Sequence, residues 1–357
     1  MRRHWLDNVR WSAVLTVLVY HVFYIFNASG VRGGIGSFAD VQYQDAVMYV
    51  IYPWIMPLLF VVAGMSARYA LDGQTEREFL RARTRKLLVP STIGLFVFHW
   101  ITGIMNLTYT GMISQIPKIA LYPICVFAGT GPLWFIQMLW IFSLLLIPIR
   151  RLEKDRLWTL CEGTPLWALI ALFLPVWGAS QIGNTPMVVV YRWGIYFTSF
   201  LIGYFVLSHD AVTERLKTAR VPLLIAAVLG AAAFTWFWFD KDYSEPACLQ
   251  HIGTNAFLWI ACLAILGCAK AWWDGKSRFG EYMTRSSFGI YVVHYAVVTY
   301  ACYFLYHSGL AAVWCYVLAI AAVLLGSPAL YELLRRIPFI RWCVFGIKKE
   351  NKKDAVA

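Results

Sequence analysis

Residues 46–67 read AVMYVIYPWIMPLLFVVAGMSA, a run with no charged side chain. A helix needs roughly 20 mostly apolar residues to cross the hydrocarbon of a bilayer, and this run is long enough. The composition around it agrees. The 357 residues are 60% hydrophobic and only 14% charged, with a mean hydropathy of +0.60. Soluble domains average about 25% charged residues, so this chain cannot build a water-facing surface for a fold of its size. Disorder, coiled coil, collagen and a disulfide scaffold each require a different bias and are excluded. The 17 Trp and 20 Tyr suit a membrane protein, because amphipathic rings collect at the two bilayer interfaces.

Reading outward for similar runs predicts an all-α, polytopic transmembrane helical bundle of about ten spans. They fall over 11–28, 46–67, 87–106, 132–150, 165–183, 191–209, 221–239, 252–272, 286–306 and 311–334. The apolar stretch 112–129 is interrupted by Pro117, Lys118, Pro123 and Gly129 and reads as a re-entrant or interfacial segment. Residues 1–340 form one membrane domain, followed by a basic cytoplasmic tail over 341–357.

The net charge of +12 raises the question of a nucleic-acid partner, but a nucleic-acid binder gathers its cations on one solvated face. Here they lie in short clusters between apolar runs. With both termini cytoplasmic, all 31 Lys and Arg except Arg32, Lys118, Arg192 and Lys241 fall inside, as the positive-inside rule requires. The charge is mostly topology. Arg2 and Arg3 before an apolar run resemble a secretory signal, but Asp7 and His21 fit one badly, and an uncleaved anchor is expected. Cys262, Cys268, Cys302 and Cys315 are ordinary packing residues within the spans, Cys125 and Cys248 lie on the outside, and no Cys–His spacing resembles a metal site.

An ionisable group inside a span is costly unless it faces a partner or water, which makes it a functional candidate. His21 comes first. Eleven residues separate it from Arg10, about three helical turns and about 16 Å of rise, so both lie on one face. Arg81, Arg83, Arg85 and Lys86 crowd the cytoplasmic start of the third span. Such a cluster fixes orientation or contacts anionic lipid, and guanidinium forks also bind phosphate bidentately. His294 lies within the ninth span, while His99 and Arg192 lie near outer span ends. Each of these, taken alone, reads as a satisfied bundle residue or an interfacial snorkel. Trp134 and Phe135 follow Gly131-Pro132 at the outer start of the fourth span and read as an aromatic anchor.

Together these pieces resemble the acyltransferase-3 family of integral membrane acyltransferases. Leu6-Asp7-Asn8-Val9-Arg10 with His21 is similar to its Arg-x10-His signature. Leu59-Phe60-Val-Val-Ala63-Gly64-Met-Ser66 resembles the end of its second helix, and Arg83-Thr-Arg85-Lys86-Leu-Leu-Val-Pro90 its basic motif. Leu133-Trp134-Phe135 and Ser287-Phe-Gly-Ile-Tyr291-Val-Val-His294 follow in the family's order. One departure is that Lys86 stands in the second position of the R-x-x-R frame begun by Arg83.

The resemblance implies transfer of an acyl group, usually acetyl, from cytoplasmic acyl-CoA to a hydroxyl of an extracytoplasmic glycan or similar acceptor, in a bacterial cytoplasmic membrane. It implies that His21 acts as base or transient acyl carrier. Arg10, Arg83, Arg85 and Lys86 would then bind acyl-CoA, and Trp134, Phe135, Tyr291 and His294 would serve the acceptor site. The competing readings are a secondary transporter, a non-catalytic receptor, and succinyl rather than acetyl transfer. No internal repeat and no mid-span carboxylate supports the transporter.

Overall fold

A computed structural model describes residues 3–31, 33–185 and 190–347. Arg2, Arg32 and the part of the expected basic tail from 348 onward lie outside the described residues. Helix makes up 78% of the structure. Among the described residues there is no β-strand, only an isolated antiparallel bridge between Asn184 and Arg192. Lipid offers the backbone no hydrogen-bond partner, so a spanning segment must satisfy its amides internally. The chain is an all-α, polytopic membrane protein.

Seven helices among the described residues are long and apolar enough to cross a membrane: Tyr43–Leu71, Glu76–Tyr109, Leu133–Glu153, Arg220–Trp238, Ile252–Trp272, Arg278–Tyr306 and Ala312–Leu334. An eighth is formed if Trp193–Phe205 and Asp210–Thr218, bent by 103° at their junction, count as one broken span. Ten runs were expected, and the other two differ for identifiable reasons. The first helix, His4–Ile25, has the length but carries Asp7, Asn8, Arg10 and His21 in 22 residues. The run 165–183 folds as two short helices, Leu166–Ala171 and Phe173–Ser180. Pro175 lies four residues after Ala171, where its ring would meet the Ala171 carbonyl in a continuous helix.

The chain divides into two compact units, residues 1–76 with 142–285, and residues 77–141 with 286–357. In the first, Ala46–Leu71 packs on Trp193–Phe205. Phe60 stacks on Tyr196, Gly64 meets the Phe200 backbone and Arg68 lies over Tyr204, so the two helices run parallel. A Cβ on Gly64 would overlap the Phe200 carbonyl, and one on Gly203 the Val61 carbonyl. Small residues here let two backbones approach, the usual means of helix association in lipid.

In the second unit, the interrupted stretch 112–129 folds back as a short helix, Lys118–Ala128, against Trp100–Tyr109. Gly103 lies against the Cys125 carbonyl and Gly129 against that of His99. Asn106 Nδ2 donates to the Ala128 carbonyl at 2.7 Å. The C-terminal helix Pro338–Cys343 packs near Gly94, and Val344 and Phe345 behind it are buried. All eight cysteines are free thiols.

Candidate functional site

Arg10 and His21 both lie on His4–Ile25, in the first unit. Arg10 is half-exposed and pairs with Asp7, one turn earlier. A cavity of about 290 Å³ lies at this end of the helix, lined by His4, Asp7, Asn8, Lys276, Ser277 and Glu281 among others. Asn8 braces the wall by donating to the Trp273 and Gly275 carbonyls.

Three turns on, His21 Nδ1 lies 2.8 Å from the Val17 carbonyl oxygen. A carbonyl can only accept, so Nδ1 carries the proton and Nε2 is the basic nitrogen. The surroundings of the ring are aromatic. Tyr20 and Tyr24 meet it edge-on at centroid distances of 5.4 and 6.1 Å. Tyr20 stacks on Tyr52, and its hydroxyl bonds that of Tyr243 at 2.7 Å. Tyr52 and Tyr243 lie 4.3 Å apart. The sequence carried no signal for this cluster, because its members come from three distant segments and tyrosine is common throughout the chain.

Arg83, Arg85 and Lys86 lie in the second unit, on the helical run Glu76–Tyr109. That run contains two π turns, Thr84–Leu88 and Leu95–His99. The Val89 amide bonds the Thr84 carbonyl, five residues back. Pro90 accounts for the first π turn, since the wider turn moves the Lys86 carbonyl out of the path of the ring. Single π turns recur at functional sites. Trp140 Nε1 donates to Thr84 Oγ1 at 3.1 Å, and Gly346, at φ +63°, fits against the Arg85–Lys86 backbone where a side chain would overlap. Arg83 lies over the Phe79 ring at 5.0 Å, and Arg85 Nε is buried without a hydrogen-bond partner among the described residues.

Trp134, Phe135, Tyr291 and His294 come together in the same unit. The Phe135 and Tyr291 rings are 5.7 Å apart, and Tyr291 and His294 5.4 Å. The Tyr291 hydroxyl donates to the Pro132 carbonyl at 2.7 Å, and His294 Nδ1 donates to the Tyr291 carbonyl at 2.6 Å. All four side chains are buried, so they form a packed knot rather than an open mouth. Two further residues also depart from expectation. His99 is fully buried, with neither ring nitrogen hydrogen-bonded among the described residues. Arg192 is buried rather than snorkelling. Among the described residues, no cluster of three or more His, Cys, Asp or Glu is arranged to hold a metal ion.

The described residues thus form a multi-pass helical membrane protein. Residues 3–332 match the family model described as an acyltransferase domain, and the chain belongs to that acyltransferase-3 family. It is a multi-pass integral membrane acyltransferase. Searches of curated proteins and of solved structures returned no match.

Proposed function

We propose that this protein moves an acyl group, acetyl in the simplest case, from cytoplasmic acyl-CoA to a hydroxyl of an extracytoplasmic glycan or similar acceptor across the cytoplasmic membrane of a bacterium. The observation that carries this reading is His21. It sits one turn from the end of the first helix, with Nδ1 donating to Val17, and Nε2 acts as the base. Nε2 takes the proton of the acceptor hydroxyl as its oxygen attacks the thioester carbonyl. The C–S bond then breaks, and the imidazolium returns that proton to the CoA thiolate, leaving an ester and free CoA. A positioned base of this kind contributes about 10²- to 10⁴-fold.

CoA phosphates are too highly charged to enter lipid, so the donor head stays on the cytoplasmic side. Arg10 and the Arg83, Arg85 and Lys86 turn supply its cations, and forked guanidiniums suit phosphate oxygens. Trp134, Phe135, Tyr291 and His294 serve the acceptor side.

Incubation of purified protein with radiolabelled acetyl-CoA tests this. His21→Ala in folded protein is expected to abolish hydrolysis or transfer, and unchanged turnover overturns the role of His21. Replacing Arg83, Arg85 and Lys86 together should raise the donor KM. Equal protection of wild type and triple variant from heat by CoA means that the donor docks elsewhere.

A further inference from the structure

Arg192 caps the start of the Trp193–Phe205 helix and is only 4% exposed. Its Nη2 donates to the Leu249 carbonyl at 3.0 Å, and Tyr196 is an electrostatic neighbour. Among the described residues its Nε has no hydrogen-bond partner and no carboxylate lies within ion-pair distance. Asp242, which shares Cys248 with it as an electrostatic neighbour, accepts instead from the amide and hydroxyl of Ser244.

An arginine cannot shed its proton, so this one is buried with its full charge and no counter-ion among the described residues, which is costly. Its position adds to that cost, because a helix N-terminus carries positive partial charge and favours an anion. Neither topology nor packing calls for such a residue. A topological arginine snorkels to the interface, and a packed one takes a carboxylate, as Arg68 does in the same unit. The Leu249 carbonyl that Arg192 holds follows Cys248, which packs in one cluster with Tyr20 and Tyr52, and Tyr20 lies beside His21.

We infer that Arg192 binds a carboxylate carried by one of the two substrates as they meet at His21. The inference rests on the acyl-transfer reading. Two sources share the chemistry: the distal carboxylate of a dicarboxylic acyl group on the donor, and the carboxylate of an acidic sugar on the acceptor. Either offers the planar pair of oxygens that a guanidinium fork fits, and either would supply the missing counter-ion.

The test measures kcat/KM for the purified full-length protein in two arms. One compares succinyl-CoA with acetyl-CoA. The other compares a glucuronate-containing oligosaccharide with a neutral glucan oligosaccharide as acceptor. Wild type is expected to favour the anionic member in one arm by about tenfold or more, and the arm that responds identifies the source. Arg192→Met should collapse that ratio at least about tenfold, while Arg192→Lys, with charge but no fork, keeps part of it. No anionic preference in either arm overturns the inference, as does a ratio that Arg192→Met leaves within about twofold. If His21-dependent turnover persists in those cases, acyl transfer itself stands. Turnover of every donor that ignores His21→Ala overturns the underlying reading instead.

Discussion

The parallel pair formed by Ala46–Leu71 and Trp193–Phe205 carries a buried arginine in the last turn of one helix and another at the start of the other. Arg68 is 6% exposed and Arg192 4%, so desolvation is nearly equal. Their partners are not. Arg68 reaches Asp155 at 2.5 Å and Asp72 at 3.2 Å, and lies 4.0 Å over the Trp158 ring, which stacks on His209. Asp155 takes φ +59° beside Lys154 at φ +54°. That left-handed backbone costs of order 1–3 kcal/mol per residue and persists only where the surroundings over-determine it. Arg192 has one carbonyl, with the Tyr196 phenol as an electrostatic neighbour. One end of the pair is therefore finished, with its charge neutralised by the chain itself, and the other is left open.

Four substitutions break or sharpen that contrast, all read as thermal or denaturant stability of the purified protein in detergent. The largest effect belongs to the seam joining the two ends. Gly64→Val places a branched side chain against the Phe200 backbone and should cost about 3 kcal/mol or more, since backbone cannot give way as a flexible side chain can. A near-neutral result means that the helices are not seamed there. Arg68→Met comes next, at about 2 kcal/mol. Breaking a buried pair costs about 3–5 kcal/mol, but both carboxylates are half-exposed and rehydrate.

Asp155→Asn should cost less, about 1 kcal/mol or under. It keeps a side chain that tolerates the left-handed backbone and removes only a pair whose acidic member is half in water. Arg192→Met closes the series, with a change near zero or a slight gain, because an apolar chain replaces an uncompensated charge. Equal destabilisation by Arg192→Met and Arg68→Met would erase the distinction between the two ends.

Much of this was legible before any coordinates. His21 and Arg10 could be placed on one face because helical periodicity is local, and eleven residues on a single helix need no knowledge of neighbours. The hydrophobic runs were equally readable, since lipid selects on length and apolarity alone. The exceptions are instructive. Pro175 splits the 165–183 run, while Asp7, Asn8, Arg10 and His21 set the first helix apart from the seven apolar spans. The 112–129 stretch was flagged by its prolines and glycines, but not its packing on Trp100–Tyr109 through Gly103 and Gly129. The sequence also identified Trp134, Phe135, Tyr291 and His294 as a group by resemblance. Their closure into a buried knot around Tyr291 depends on which helices meet. His99 and Arg192 were both undervalued, because a composition cannot say whether a polar side chain has found a partner.

Sequence alone determined that this chain is an all-helical membrane protein, which family it resembles, and which imidazole shares a helix face with Arg10. Those conclusions depend on local pattern and on the cost of polar groups in lipid, both properties of short segments. Only the tertiary structure decided which proton His21 carries, that tyrosines from three segments surround it, that Pro90 follows a π turn holding Arg85 and Lys86, and that Arg68 is neutralised while Arg192 is not. The tyrosine cluster and the Arg68–Asp155 pair turn on contacts between residues far apart in the chain, and an arginine has the same formal charge whether or not a carboxylate lies beside it.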